Sequence, residues 1–364
     1  MQLIKLSLCN FRNFKSIKIE PNNLFNIFYG DNAEGKTNIL ESISLLGSLK
    51  SFRSARNNEL IKIGEKKAVI KGVSLNNQVS DDISLDIDKD KKTARLNGKI
   101  VSQPDNYLNC LRPVVFSPEE VSVTKGGPSG RRRLIDRAVF QATPLFLKIF
   151  KQYERQLKQR NKLLKEKRPE IEIIPWTDSL IDTGSKIRFA RKKYIESISS
   201  DFYDCYKLIS GSRENIKIIY QNGHDCLDDI KKAFREELLK NREQEIKYGA
   251  TLCGPHRDDI FFYLNEKSLR EFGSQGQQRS FILALKTAQV INLEKEYGEP
   301  PLLLLDDLLG ELDQQRQDFF FQFLFKMQGQ FFITTTDIKP LEKSGINRAS
   351  YFNVKDGVLH IRQN

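Results

Sequence analysis

An α/β fold, its phosphate-binding core split by a helical insert, is predicted by three observations. Residues Gly30-Asp31-Asn32-Ala33-Glu34-Gly35-Lys36-Thr37 match the phosphate-loop pattern G-x-x-x-x-G-K-[ST] at each fixed position. Four leucines, Leu302 to Leu305, run into Asp306-Asp307, 270 positions after Lys36. Between them, roughly residues 130 to 245 carry helical periodicity and few strand signals. Compact phosphate-loop kinases and GTPases keep loop and acid much closer together. A large insertion must therefore divide the core.

The phosphate loop has the context it needs. Leu24 to Tyr29 reads as a strand, and Asn38 to Leu46 carries apolar residues at helical spacing. Glycines let successive backbone N–H groups curl around phosphate oxygens, and the following helix N-terminus adds partial positive charge. Lys36 can reach the β- and γ-phosphates, and the Thr37 hydroxyl can bind Mg²⁺.

Before that loop, residues 2 to 29 read as three strands. Residues 67 to 101 read as a meander with a hairpin at Asn97-Gly98, a dipeptide suited to the tightest β-turns. A turn-rich stretch from Ser117 to Gly130 leads into the helical region. There Phe146, Phe150, Tyr153, Leu157 and Leu164 keep heptad-like spacing, interrupted by Arg160. Pro169 and Pro175 bracket a break, after which Leu180, Gly184, Ile187, Tyr194, Ile198 and Phe202 share one helical face. The pattern predicts an antiparallel helical hairpin. Strand signals return near Ile260 to Leu264, followed by a helix from about Gln277 to Leu293. Leu302 to Leu305 suits a fully buried parallel strand, as does Gln330 to Thr336. Asp306 then sits where a nucleotide-binding fold places its Walker B acid, and Asp307 could position or polarise an attacking water. The plainer alternative is two acids capping the next helix.

Composition narrows the function class. Hydrophobic residues make up 39% and charged residues 29% of the 364, ordinary for a globular protein. No apolar run approaches the roughly 20 residues that span a bilayer. The N-terminus lacks signal-peptide character, so a cytoplasmic location is expected. Cys9, Cys110, Cys205, Cys226 and Cys253 are scattered without a C-x-x-C pair, which indicates neither a zinc site nor a disulfide framework. The three histidines lie far apart in sequence. Net charge is +12, which favours a polyanionic partner, nucleic acid or an acidic membrane surface. Lys148 to Arg168 holds nine Lys/Arg against Glu154 and Glu166, a local charge of +7.

A third motif orders the rest. Phe272-Gly273-Ser274-Gln275-Gly276-Gln277-Gln278-Arg279-Ser280 precedes the helix that leads into the leucine strand. It resembles the signature loop of ABC-type ATPases, whose Ser-x-Gly-Gln element contacts the γ-phosphate held by a second subunit. The Ser274 hydroxyl, the Gly276 N–H and the next helix's N-terminus all suit an anion. With Leu8-Cys9-Asn10-Phe11-Arg12-Asn13-Phe14, the chain resembles the SMC-like branch of ABC ATPases, and within it the RecF family. Further resemblance lies in Phe116 to Glu119, Gly130 to Asp136, Tyr153 to Lys165 with Gln159-Arg160-Asn161, and Gly254-Pro255-His256-Arg257-Asp258-Asp259. The match runs essentially end to end, and the helical insert is short, unlike the long coiled coils of true SMC proteins.

The resemblance implies an ABC-type ATPase head in two parts, residues 1–130 and 246–364, with a helical arm at 131–245. It implies an ATP- and Mg²⁺-dependent homodimer that binds DNA at gaps and single-strand/double-strand junctions. It further implies service in replication, recombinational repair and the SOS response, working with RecR and RecO to load RecA. By match to the motifs, Gly30 to Thr37 hold the nucleotide, Thr37 and Asp306 hold Mg²⁺, and Asp307 is the hydrolytic carboxylate. Ser274, Gly276 and Gln277 reach the partner's ATP, and Arg12 contacts nucleotide phosphates. The chain also departs from the pattern. Asp307 stands where most ABC ATPases carry Glu, Thr336 aligns with the switch histidine, and Gly310-Glu311-Leu312-Asp313 lacks the usual leading Ser. No Q-loop glutamine stands near Ser117 to Glu120. These departures suggest slow hydrolysis, with ATP as a dimerisation switch, and a weak, DNA-stimulated ATPase is expected. Two alternatives are a transporter's ATPase subunit and a nucleotide-switched scaffold without useful hydrolysis.

Overall fold

The computed structural model describes residues 1–101, 107–211, 214–221, 224–308, 310, 312–343, 346 and 348–362. Two compact units emerge. The first comprises Met1–Glu120, Leu208–Ser210 and Leu293–Asn364; the second comprises Val121–Lys207 and Gly211–Asn292.

In the first unit, β1 (Gln2–Phe11), β2 (Phe14–Ile19) and β3 (Phe25–Tyr29) precede the phosphate loop. After the helix Lys36–Ser48 come β4 (Lys67–Asn76), β5 (Val79–Asp88), β6 (Lys92–Leu96), β7 (Lys99–Ile100) and β8 (Pro113–Phe116). The expected three strands and meander are thus present. One six-stranded antiparallel sheet runs β2-β1-β4-β5-β6-β7. Period-two alternation puts Leu6 and Leu8 of β1 on the buried face with Ile70 and Leu85, while Lys5 and Lys71 face out; Leu3 is also buried, beyond a register shift between Leu3 and Lys5. Asn97 and Gly98 both take positive φ, 50° and 78°, as a type I′ hairpin turn requires.

In the second unit, β9 (Ile216–Tyr220) pairs antiparallel with β10 (Ile260–Leu264), and β10 with β11 (Lys267–Ser268). Back in the first unit, β12 (Leu302–Leu305), β13 (Phe331–Thr335), β14 (Ala349–Lys355) and β15 (Val358–Arg362) complete a second sheet, ordered β15-β14-β3-β13-β12-β8. All its pairings are parallel except β14 with β15. The four leucines of β12 are fully buried, as a central parallel strand requires.

The second unit contains the helices Pro128–Ala142, Leu145–Lys165 and Leu227–Tyr248 and most of Glu170–Ser210. Thr183 Oγ1 donates to Gln156 Oε1 at 2.5 Å, and Arg160 Nε donates to Thr177 Oγ1 at 2.9 Å. As one number rises the other falls, so the hairpin is antiparallel, as its periodicity predicts. Arg160 does not interrupt the buried stripe but lies within it. Its guanidinium donates to Glu245 Oε2 and Thr251 Oγ1, both at 2.7 Å, so the buried charge is paired.

Three expectations change here. Ile216–Tyr220 is a strand inside the region expected to be helical, because β10 offers it a ladder across all five residues. Pro175 lies inside the helix Glu170–Ser210 and does not bound a break. Near a helix start the proline forfeits one hydrogen bond out of a 41-residue ladder. Residues 246–292, expected with the ATPase head, group with the helices. The β9–β10 ladder and a buried ionic lattice explain that grouping. Arg188 forks onto Asp258 at 2.9 and 2.7 Å, and Tyr220 O–H donates to the same carboxylate. Arg191 forks onto Asp136 at 2.7 and 2.9 Å and reaches the Pro255 carbonyl at 2.7 Å. Arg131 forks onto Asp259.

Candidate nucleotide site

The site forms where parallel strands of the second sheet end. β3 delivers the phosphate loop and β12 delivers Asp306, with β13 between them. Strands sit about 4.8 Å apart, so two spacings separate loop strand and acid strand. The helix that begins at Lys36 closes that gap. Thr37 Oγ1 donates to Asp306 Oδ1 at 2.7 Å. Residues 270 positions from the loop lysine are thereby drawn into one cluster.

Loop geometry is set by close approach. A Cβ on Gly30 would stand 2.4 Å from the Val354 carbonyl oxygen, and one on Gly35 would stand 2.5 Å from Asn13 Nδ2. Both also take positive φ, 146° and 111°. No side chain caps the N-terminus of Lys36–Ser48, and its first turn holds no acid. Its leading N–H groups and its dipole are therefore disposed toward an anion. Lys36 is nearly buried, and its Nζ donates to the carbonyls of Gly30 and Asp31 at 2.8 and 2.9 Å. The ammonium thus lies over the same loop as Asn32, Ala33 and Glu34.

Burial pushes the Asp306 carboxyl above the ordinary carboxylate range, and the Asp307 charge adds to that. The hydroxyls of Thr37 and Thr334 pull the other way. Thr334, on β13, escaped the sequence reading. Its Oγ1 donates to Asp306 Oδ1 at 2.9 Å and accepts from the Asp307 N–H at 2.9 Å. It fixes the carboxylate and the following backbone together, and its signal was only a strand threonine beside a strand acid. Asp307 takes φ 44°, and it is half-buried. Thr336, aligned with the switch histidine, is exposed just past β13. Ser117 follows β8, the strand beside β12. Glu311 lies outside the described residues.

The donor set fits Mg²⁺. A hydroxyl and a carboxylate in contact are hard oxygen donors, and Mg²⁺ in such sites takes one or two protein ligands, with water and phosphate completing the octahedron. Among the described residues no group of three or more His, Cys, Asp or Glu could hold a metal, so a protein-only cage is not what this site offers.

Arg12 is held against the loop helix by protein acceptors. Its Nε and a terminal nitrogen donate to Glu41 at 2.8 and 2.9 Å, and another terminal nitrogen donates to the Glu59 carbonyl at 2.8 Å. Glu41 is fully buried on the loop helix and also accepts from Ser51 Oγ. A buried carboxylate requires such pairing, and the sequence carried no sign of it beyond a glutamate amid apolar residues.

The signature residues lie in the second unit. Ser274 caps the helix Gln275–Tyr297 in a reciprocal box: its Oγ accepts from the Gln277 N–H at 3.2 Å, and Gln277 Oε1 accepts from the Ser274 N–H at 2.8 Å. Gln277 Nε2 also donates to Glu214 Oε1 at 2.7 Å, and Glu214 accepts from Tyr206 O–H at 2.8 Å. Ser274 is exposed, and Gly276 is half-buried in the first turn.

Comparison with known proteins agrees with this architecture. The family model "RecF/RecN/SMC N terminal domain" matches residues 2–358. The DNA replication and repair protein RecF of Syntrophotalea carbinolica is 46% identical over 359 residues, 99% of each chain. That of Geobacter sp. strain M21 is 41% identical over 364 residues, covering 99% of this chain and 100% of its own. A solved structure of the recombination mediator protein RecF with ATP, in the RecFOR pathway, superposes with a TM-score of 0.90 at 31% identity, covering 99% of each chain. The Smc head domain of Pyrococcus furiosus shares the fold at a TM-score of 0.57 and 19% identity, covering 99% of this chain and 95% of its own. On the phosphate loop, the acid that joins it from β12 and these end-to-end likenesses, the chain belongs to the RecF family of SMC-like ATPase folds.

Proposed function

We propose that this chain is an ATP-dependent DNA-binding protein of replication and recombinational repair, acting in the cytoplasm. ATP with Mg²⁺ pairs two copies, each loop closed by the other copy's Ser274–Gln277 element. The pair holds gapped DNA at single-strand/double-strand junctions and, with RecO and RecR, assists RecA loading. The observation that carries this reading is the contact of Thr37 with Asp306 beside a buried Lys36, a triphosphate–Mg²⁺ arrangement in a RecF-family chain. Asp307 serves as the hydrolytic carboxylate. Its side chain is shorter than Glu, so turnover is slow and binding does the switching. Arg12, tethered to the loop helix by Glu41, adds a cation beside the phosphates.

Sedimentation with and without ATP and gapped DNA tests the proposal: a mass shift to the dimer on ATP, and to a DNA complex on adding both, is expected. A chain that stays monomeric under all conditions sinks it. Ser274→Arg should leave ATP binding by the monomer within about twofold and abolish ATP-induced pairing. Light scattering that still reports dimers in this variant would refute the paired site.

The arm supplies a DNA prediction. Lys158, Lys162 and Lys165 are exposed on Leu145–Lys165, whereas Arg160 is buried and unavailable. Each phosphate contact to duplex contributes a log–log salt slope of about −0.9. Reversing those three lysines to glutamate should flatten the slope by roughly 2 to 3 if this face touches DNA. An unchanged slope would exclude it.

A further inference from the structure

Two hairpin turns grip the phosphate loop, and neither belongs to the motif. The β1–β2 turn supplies Asn13. Its Nδ2 donates to the Glu34 carbonyl at 2.7 Å, and its Oδ1 accepts from Asn38 Nδ2 at 2.9 Å. One amide thus ties the loop's last x position to the first turn of the loop helix. Asn13 is itself held, since Lys62 Nζ donates to its carbonyl at 2.7 Å. The β14–β15 turn supplies Asp356, whose N–H donates to Glu34 Oε2 at 2.5 Å. The two turns also meet: a Cβ on Gly357 would stand 2.9 Å from the Asn13 carbonyl oxygen.

Peptide planarity gives this grip a consequence. The Glu34 C=O and the Gly35 N–H belong to one rigid plane and point in opposite directions. Anchoring the carbonyl on Asn13 therefore aims the Gly35 N–H away from Asn13, into the loop. A glycine at φ 111° has little of its own to hold that plane. Without the anchor the plane can flip, and nucleotide binding must then bear the cost of ordering it.

We infer that Asn13 is a positioning residue for the phosphate loop, presetting the Gly35 N–H as a phosphate donor, with the Asp356 turn bracing it through the Glu34 carboxylate. This rests on the reading that the loop binds ATP, and the test separates the two. Full-length Asn13→Asp keeps the shape and loses the donor at pH 8. ATP affinity by calorimetry should fall about tenfold there, the value of one well-placed hydrogen bond. At pH 5.5 a carboxyl packed against a carbonyl regains a proton, and its O–H can donate to Glu34 again. The variant-to-wild-type Kd ratio should then drop toward one, while turnover at saturating ATP stays near wild type at both pH values. Glu34→Ala, which removes only the Asp356 bond, should weaken ATP several-fold with no such pH rescue. Unchanged Kd in both variants, a ratio independent of pH, or a parallel loss in turnover at saturating ATP would each overturn the inference. Failure of the wild-type chain to bind ATP would instead overturn the functional reading.

Discussion

Lys36→Ala should raise the Kd for ATP at least about a hundredfold. The ammonium is nearly buried and already oriented by two loop carbonyls, so little ordering remains to be done when phosphate arrives. Charge-assisted hydrogen bonds are worth roughly 1.5–3 kcal/mol each, and about 2.7 kcal/mol is a hundredfold. The alanine also strands the Gly30 and Asp31 carbonyls facing where phosphate oxygens would sit. Titration calorimetry with Mg²⁺–ATP reads the change directly. A Kd within threefold of wild type would mean that the triphosphate binds elsewhere. Thr37→Ala should behave differently, weakening the Mg²⁺ dependence more than the binding of metal-free nucleotide, because its hydroxyl faces Asp306.

Asp258→Ala should destabilise the second unit by about 3–5 kcal/mol, the usual cost of removing one partner from a buried ion pair. Arg188, 2% exposed, would lose its carboxylate fork on Asp258 and keep Glu237, and the Tyr220 hydroxyl would lose Asp258 as its acceptor. In a melt followed by circular dichroism, the lowest transition should fall by roughly 10 °C. Glu243→Ala, at an exposed position, should move it by less than about 2 °C. Equal midpoints for the two variants would show that the lattice does not hold the unit. This prediction also bears on the signature loop, which shares that unit. A loosened second unit should impair ATP-induced pairing while Lys36-dependent binding persists.

Much of the site was legible without coordinates. The phosphate loop, the acid pair after the leucine strand, that strand itself and the meander all carry local patterns: fixed glycines, a run of apolar residues, an Asn-Gly turn. The hidden parts share a different character. Thr334, Asn13 and Glu41 act through side-chain hydrogen bonds, among them bonds to Asp306, Glu34 and Arg12 between 21 and 29 positions away. Nothing in their own neighbourhoods marks them. Arg160 looked like a fault in a hydrophobic stripe because its carboxylate partner, Glu245, lies 85 positions further on. Ile216–Tyr220 looked unremarkable among helices because strand identity came from its ladder with β10.

The sequence by itself determined the chemistry: a loop that can hold phosphates, oxygen ligands suited to magnesium, a polar element that caps a helix, and a basic surface. Those follow from residue types and short spacings, which chain periodicity exposes. Tertiary structure alone decided which of these meet. The order β3-β13-β12 brings Thr37, Thr334 and Asp306 into one hydrogen-bonded set. Parallel strands are joined through long connections, so no local pattern encodes which one lies beside which. The same holds for the two hairpin turns on Glu34, one from each end of the chain. Their convergence on a single residue, one at its carbonyl and one at its carboxylate, is a property of the assembled sheets, where burial and hydrogen bonding over hundreds of residues outweigh any local preference.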